Sequence, residues 1–243
     1  MIRVSVTVLV LLALWQGVIL ASGLPPFLLP SPGAVARALW THQGVLAVAF
    51  LKTLTETLAG FALGAVIGIG LALQMAASAR LRRWFGPVVV VSQTIPIFAL
   101  APILTLWLGY GMAPKLAVVA LVTFFPVASA FHDGLTRVPQ ARLDLARVMG
   151  AGRWAMLIRI RMPSALPDLA TGLRLAAVLA PVGAVIGEWV GGSEGLGAVM
   201  LHANGRMRID LVFASLALVV VLSLGFQRLV AGQLAARLER YAG

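Results

Sequence analysis

The chain has no cysteine, so disulfides and thiolate metal sites are excluded and the redox compartment stays open. Carboxylates are scarce too: eight acidic residues stand against nineteen lysines and arginines, a formal charge of +11. HExxH does not occur, so the zinc-protease helix motif is missing, and His132-Asp133 has no nucleophile nearby in the sequence. The glycine run from Gly191 is followed by no Lys-Ser/Thr pair and lacks the third glycine of GxGxxG, which removes both phosphate-cradle patterns. No metal site is expected, because His42 and His202 fall in separate polar loops and read as solvated. Charged residues make up 11% of the chain, where a soluble domain carries about a quarter.

What is present is apolar length. The chain is 60% hydrophobic over 243 residues, and a spanning helix needs roughly 20 apolar residues. Six spans can be drawn, at about 4–20, 45–75, 87–108, 115–131, 168–190 and 209–230, giving an all-α polytopic membrane protein with a single transmembrane domain over 1–243. The second is longer than a bilayer requires and is expected to tilt or protrude. The first could be a removable signal, but its apolar run is long and Trp15-Gln16 lie where a cleavage region would begin, so an uncleaved span is favoured.

Placing the N-terminus inside puts thirteen arginines on the cytoplasmic side: Arg3, Arg80, Arg82, Arg83, Arg137, Arg142, Arg147, Arg153, Arg159, Arg161, Arg228, Arg237 and Arg240. Five basic residues fall outside: Arg37, Arg206, Arg208, Lys52 and Lys115. That bias orients both termini towards the cytoplasm. It also removes nucleic acid as a partner, since the positive charge lies in loops between apolar runs and not on one soluble face.

Gly60, Gly64 and Gly68 repeat at four-residue spacing, as do Gly183, Gly187 and Gly191. Such stripes let helices approach closely in lipid, and packing within one chain is favoured over a subunit interface. Pro96, Pro102, Pro126 and Pro181 fall inside expected spans and should bend them. Ser31 before Pro32 marks a helix start, and 33–40, with Arg37 and Trp40, should lie along the interface. Residues 191–207 read as a short helix or re-entrant turn at an outer mouth.

Between the fourth and fifth spans lies a polar loop, 132–167. Pro139 can open a helix through "QARLDLARVM", with Asp144 and Arg147 paired at i,i+3 and Gly150 as its stop. "RWAMLIRIRM" resumes helical spacing with Trp154, Leu157 and Ile158 on one face, and Pro163 and Pro167 close the segment. An apolar face in water needs a partner. By pattern alone, anionic lipid held by the arginines and a protein partner fit equally.

The loop resembles the cytoplasmic signature of binding-protein-dependent ABC importer permeases, E-A-A, three residues, Gly, nine residues, Ile, any residue, Leu-Pro. Asp144, Leu145, Ala146, Gly150, Ile160, Met162 and Pro163 fill it at the correct spacing, with Asp for Glu, Leu for the first Ala and Met for Leu. "PPFLLPSPGAV", "SQTIPIFALAPILTLWLGYG" and "IGEWVGGSEGLG" look like segments of the nitrate/sulfonate/taurine-type group, which includes permeases for thiamine-precursor pyrimidines and riboflavin. The resemblance implies the type I importer permease fold in the bacterial inner membrane. It also implies a homodimer with two cytosolic ATPase subunits and an extracytoplasmic solute-binding protein. The loop becomes a coupling element, its contact with the ATPase made by Asp144, Leu145, Ala146, Gly150, Ala151, Arg153, Trp154, Leu157, Ile160 and Pro163. ATP and Mg would be held by the ATPase alone, so this chain needs no cofactor and is not itself an enzyme.

For the pathway, Glu56 and Glu188 are the carboxylates in the spans. Each reads as a gate contact or as a packed carboxylate paired with Lys52, Lys115 or an amide, the second being favoured. Arg174 is the one arginine inside a span, near its cytoplasmic end, so an anion route is poorly provided for. Gln93, Thr94 and Phe98, with Gln74, supply amide, hydroxyl and aromatic groups suited to a neutral heterocycle. A thiamine-precursor pyrimidine is the favoured solute and a sulfonate, taurine or nitrate the alternative. An ion-coupled secondary transporter is the rival class, but no internal repeat is evident.

Overall fold

The computed structural model describes residues 2–192 and 194–238, and every regular element among them is helical. Arg240, counted above, lies outside the described residues. In order the elements are α1 (Ile2–Ser22), α2 (Pro32–Thr41), α3 (Gln43–Ala77), α4 (Ala79–Val91), α5 (Ile97–Leu108), α6 (Met112–Thr136), α7 (Gln140–Val148), α8 (Arg153–Met156), α9 (Met162–Ser164), α10 (Leu166–Gly191), α11 (Leu196–Gly205) and α12 (Ile209–Leu229). π-helical turns occupy Leu157–Arg161 and Val230–Ala235. Among the described residues α3, α6, α10 and the helix running from Ile209 to Leu238 are long and apolar enough to cross a bilayer.

At the centre α6 is held between α3 and α10, and glycine decides both contacts. A Cβ on Gly68 would stand 2.6 Å from the Phe124 carbonyl oxygen, and one on Gly64 2.8 Å from that of Ala120. Across α6, a Cβ on Gly172 would lie 2.7 Å from the Pro126 carbonyl oxygen and one on Gly187 3.0 Å from Lys115 Cα. Both expected stripes therefore pack inside the chain, backbone against backbone, as small residues permit in lipid. Val119, Val127 and Phe131 of α6 are fully buried in this seam. Phe61 of α3 meets Phe226 of α12 edge-on at 5.0 Å, bringing the last long helix onto the same core.

α3 has 35 residues, about 52 Å of helix, so it exceeds a hydrocarbon core of roughly 30 Å as expected. The third expected span, 87–108, is not one helix. α4 ends at Val91, and α5 starts after Pro96, which flanks the helix instead of lying inside it. Pro96 has no N–H to give Ser92 and disfavours helical backbone at Ile95. The Ser92 and Thr94 hydroxyls bond back to Val89 and Val91 carbonyls, stabilising the break. Pro102, Pro126 and Pro181 do lie inside helices.

α2 begins as read, with Ser31 Oγ accepting from the Ala34 N–H at 3.2 Å and Pro32 in the first turn. Its buried Val35 and Ala38 join Leu46, Leu196 and Ala214 in a second core. α1 meets that core through Trp15 against the Phe213 ring, 5.5 Å apart.

The helix-pair seam gives a sharp test. Gly68→Leu should destabilise the detergent-solubilised protein by at least about 2 kcal/mol, because the new side chain meets backbone. Gly70→Leu, with nothing within 4 Å of its Cβ position, should unfold with the wild type. Equal thermal unfolding curves for the two variants would remove glycine contact as the reason α6 sits where it does.

Candidate functional site

Two arrangements stand at opposite ends of the α3–α6–α10 trio. The first is the hairpin 140–164. α7 ends in a left-handed glycine turn: Gly150 has φ +78, and the Gly150 and Ala151 N–H groups bond to the Arg147 and Ala146 carbonyls, both at 2.9 Å. Asp144 pairs with Arg147 and accepts from Gln140 Nε2 at 3.1 Å, so all three polar groups lie on the exposed side of α7.

After the turn, helix resumes at Arg153 and does not stop at the prolines. Pro163 and Pro167 were expected to close the segment, but the chain stays helical through α9 and, past Ala165, into α10. Pro163 cannot donate to Arg159 and its ring crowds that carbonyl. The π turn over Leu157–Arg161 widens the coil there, with the Met162 N–H reaching back to the Leu157 carbonyl.

The hairpin has two faces. Leu145, Val148, Met149, Trp154 and Ile158 are exposed, Val148 at 86% and Trp154 at 70%. Asp144, Gly150 and Arg153 are exposed as well, while Ala151, Ile160 and Pro163 are half-buried. Two of the expected contact residues turn inward instead. Ala146 is buried, and Leu157 is 5% exposed within the main core beside Ala165 and Leu169. Leu157 turns into the core although Trp154 before it and Ile158 after it stay exposed, so Leu157 roots the hairpin.

The second arrangement is a buried polar cluster at the other end. Lys115 Nζ of α6 lies 2.6 Å from Glu56 Oε1 of α3 and donates to the Glu194 carbonyl at 3.0 Å. Glu188 of α10 is fully buried; Thr53 Oγ1 donates to its Oε1 at 2.6 Å and the Gly197 N–H to its Oε2 at 2.5 Å. The Leu196 N–H donates to Thr53 Oγ1 at 2.9 Å. Gly195 precedes α11 at φ +110 and offers no side chain, so the first two amides of α11 are capped by Thr53 and Glu188 from other helices. The carboxylate also meets the positive end of the α11 dipole. A Cβ on Gly195 would strike the Glu188 carboxyl, which explains a glycine there.

Glu56 and Glu188 thus belong to one cluster, each in a structural pairing, and their carboxyl groups lie close enough to interact. At the surface Lys52 Nζ is 2.9 Å from Glu194 Oε2, and by hydrogen bond and charge it holds the Glu194 carboxyl below the usual carboxylate range. A cavity of about 590 Å³ opens over the cluster, with Lys52, Glu56, Tyr110, Lys115, Glu194 and His202 among its walls.

Gln93 and Thr94 sit exposed in the break between α4 and α5 and take no part in these hydrogen bonds. Phe98 is half exposed, its ring 6.0 Å from that of Trp189, the residue after Glu188. Thr53 had not been singled out from the sequence. Its signal was present: Thr53, Glu56 and Thr57 continue the Gly60–Gly64–Gly68 stripe back along one face of α3.

The capping role of Glu188 makes a graded prediction. Glu188→Ala leaves the Gly197 N–H without its acceptor, leaves the Thr53 hydroxyl with the Ala49 carbonyl alone and opens a void, and should cost about 2–4 kcal/mol. Glu188→Gln keeps the shape and one acceptor oxygen and should cost about half as much. Thermal unfolding and proteolysis near residues 192–196 measure both, and an Ala variant as stable as wild type would dismiss the cap.

Comparison with known proteins agrees with this geometry. Residues 64–239 match the family described as "Binding-protein-dependent transport system inner membrane component". The chain is 46% identical over 215 residues to a "Probable ABC transporter permease protein" of Haemophilus influenzae, covering 88% of each. It is 43% identical over 173 residues to the "Formylaminopyrimidine transport permease protein" of Halalkalibacterium halodurans, covering 71% of this chain and 69% of that one. With the "Riboflavin transport system permease protein" of Chloroflexus aurantiacus it shares 37% identity over 221 residues, 90% of this chain and 82% of that one. In fold it is similar to a chain of the MetNI methionine ABC transporter in an inward-facing conformation, with TM-score 0.70 at 20% identity, covering 82% of this chain and 98% of that one. The chain belongs to the binding-protein-dependent transport system inner membrane component family and is a permease subunit of the ABC importer kind.

Proposed function

We propose that two copies of this chain form the membrane pathway of an importer, in which two cytosolic ATPase subunits grip the hairpins and a solute-binding protein delivers a small heterocycle. The observation that carries this reading is the two-faced hairpin: an exposed apolar tip around Gly150, rooted through Leu157 in the core. In this reading the hairpin end is cytoplasmic, in keeping with the arginine bias, and so are both termini. Closing the ATPase pair on ATP draws the two hairpins together. The force enters the trio through Leu157 and along α10. Hydrolysis and ATP binding stay with the partner, and this chain supplies displacement alone.

A neutral heterocycle, such as a thiamine-precursor pyrimidine, is favoured as the solute over a sulfonate, taurine or nitrate. Support comes from the pyrimidine-type and riboflavin-type names of two relatives. It comes also from the cavity over the polar cluster, where each lining lysine already faces a carboxylate, Lys52 with Glu194 and Lys115 with Glu56. An anion would have to compete with those pairs.

Gly150→Arg tests the docking. Gly150 has open space around it, and the strain of a side chain at φ +78 is confined to this exposed turn, so insertion should be unaffected, while ATPase co-purification falls at least about tenfold and uptake is abolished. Substrate-stimulated ATP hydrolysis at the wild-type rate would refute the assignment. For the solute, a 4-aminopyrimidine should compete for uptake and ethanesulfonate should not; the reverse order would hand the site to the anion class.

A further inference from the structure

A groove of about 600 Å³ runs between the hairpin and the corner where α3 gives way to α4. Its charge is of one sign. Arg147, Arg153 and Arg161 line it beside Trp154, with Ala76 and Ala77 at the end of α3 behind them, and no carboxylate is among the lining residues. Arg147 shares its charge with Asp144, but neither Arg153 nor Arg161 is in an ion pair among the described residues. Arg153 and Arg161, with no carboxylate of their own along this space, repel each other unless an anion lies between them. Guanidinium forks match phosphate oxygens better than any other side chain does.

The neighbouring helix points to the source of the phosphate. From the last turn of α3 the chain continues directly into α4, whose Arg80, Arg82 and Arg83 and exposed Trp84 are of the kind that anchor at the headgroup layer. Ala79, the first residue of α4, also lines the groove, and the α4 N-terminus adds the favourable end of its dipole. Trp154, 70% exposed, has the amphipathic ring found at that layer.

We infer that this groove binds the headgroup phosphate of an anionic phospholipid of the inner leaflet, wedged between the hairpin and the α3–α4 corner. The lipid then becomes part of the hairpin's seat: it bridges the moving element, through Arg153 and Arg161, to the fixed end of α3. The inference rests on the importer reading only for the leaflet.

The test uses the permease purified with its ATPase, incubated with equimolar phosphatidylglycerol and phosphatidylcholine of identical acyl chains, and native mass spectrometry of the lipids retained. Wild type should retain phosphatidylglycerol about tenfold over phosphatidylcholine. The double variant Arg153→Gln/Arg161→Gln should lose most of that preference. Equal retention of the two lipids by wild type overturns the site, and needs no variant to fold. A preference untouched by the double substitution also overturns it. Displacement of phosphatidylglycerol by low-millimolar inorganic phosphate would give the groove to a soluble anion. Loss of ATPase capture with lipid retention unchanged would give the arginines to the ATPase instead. Failure of wild type to capture any ATPase would count against the importer reading and leave the lipid result to stand by itself.

Discussion

Backbone contact along α6 is the constraint on which the rest depends. With Gly60, Gly64 and Gly68 on one side and Gly172, Gly183 and Gly187 on the other, the three helices meet with almost nothing between their main chains. Lipid offers no hydrophobic force to drive helix association, so close van der Waals contact has to supply it. The same closeness allows the polar cluster to form. Lys115 can reach Glu56, and Glu188 can reach Thr53, only because the glycine seam has already brought their helices together. A buried ion pair placed any looser would carry its desolvation cost without the compensating geometry.

The seam also fixes where the molecule can move. The chain is helical almost without interruption from Arg153 to Gly191, so the hairpin and Glu188 are the two ends of one rod. Its π turn and Pro163 interrupt the regular helical hydrogen bonds within the second half of the hairpin, and the packing of Leu157 in the core holds the rod at that point. At the far end Glu188 holds the first turn of α11, so a shift of α10 is felt there as a change in the cap. A two-state element of this kind is biased only as far as a partner binds its two states differently.

Much of this was legible in the sequence, for physical reasons that can be named. The hairpin could be read because its breakers are local: Pro139 opens α7 and Gly150 ends it, each through its own backbone geometry. The glycine stripes could be read because four-residue spacing is visible along one helix, although nothing in the spacing says that both stripes face α6. The broken third span was missed because apolar composition outweighed Pro96, when in fact Ser92, Thr94 and Pro96 together favour a turn. The inward turn of Leu157 is not legible from spacing, because i, i+3 and i+4 positions cover about 100° of a helix and nothing local says which edge of that stripe meets the core. Thr53 was passed over because a threonine in a span usually bonds its own preceding turn. Thr53 does so, to Ala49, and it also serves α11 from a distance of 143 residues.

The two ends of the trio differ in a way that bears on transport. At the hairpin end the core contacts are apolar and tight, with Leu157, Ala165 and Leu169 buried together, so displacement there is transmitted and not absorbed. At the other end α11 is held by four polar contacts: Thr53 and Glu188 on its first amides, and Lys52 and Lys115 on Glu194. Apolar packing resists shear because nothing replaces a lost contact. Polar contacts that line a cavity behave otherwise, since water can take over each partner as it is released. The cavity of about 590 Å³ brings that water within reach of Lys52, Lys115 and Glu194, while Glu188 and Thr53 stay fully buried behind them. In the proposed importer, a stiff apolar root at the hairpin and exchangeable polar contacts at the opposite end let α10 carry a push without unfolding either end.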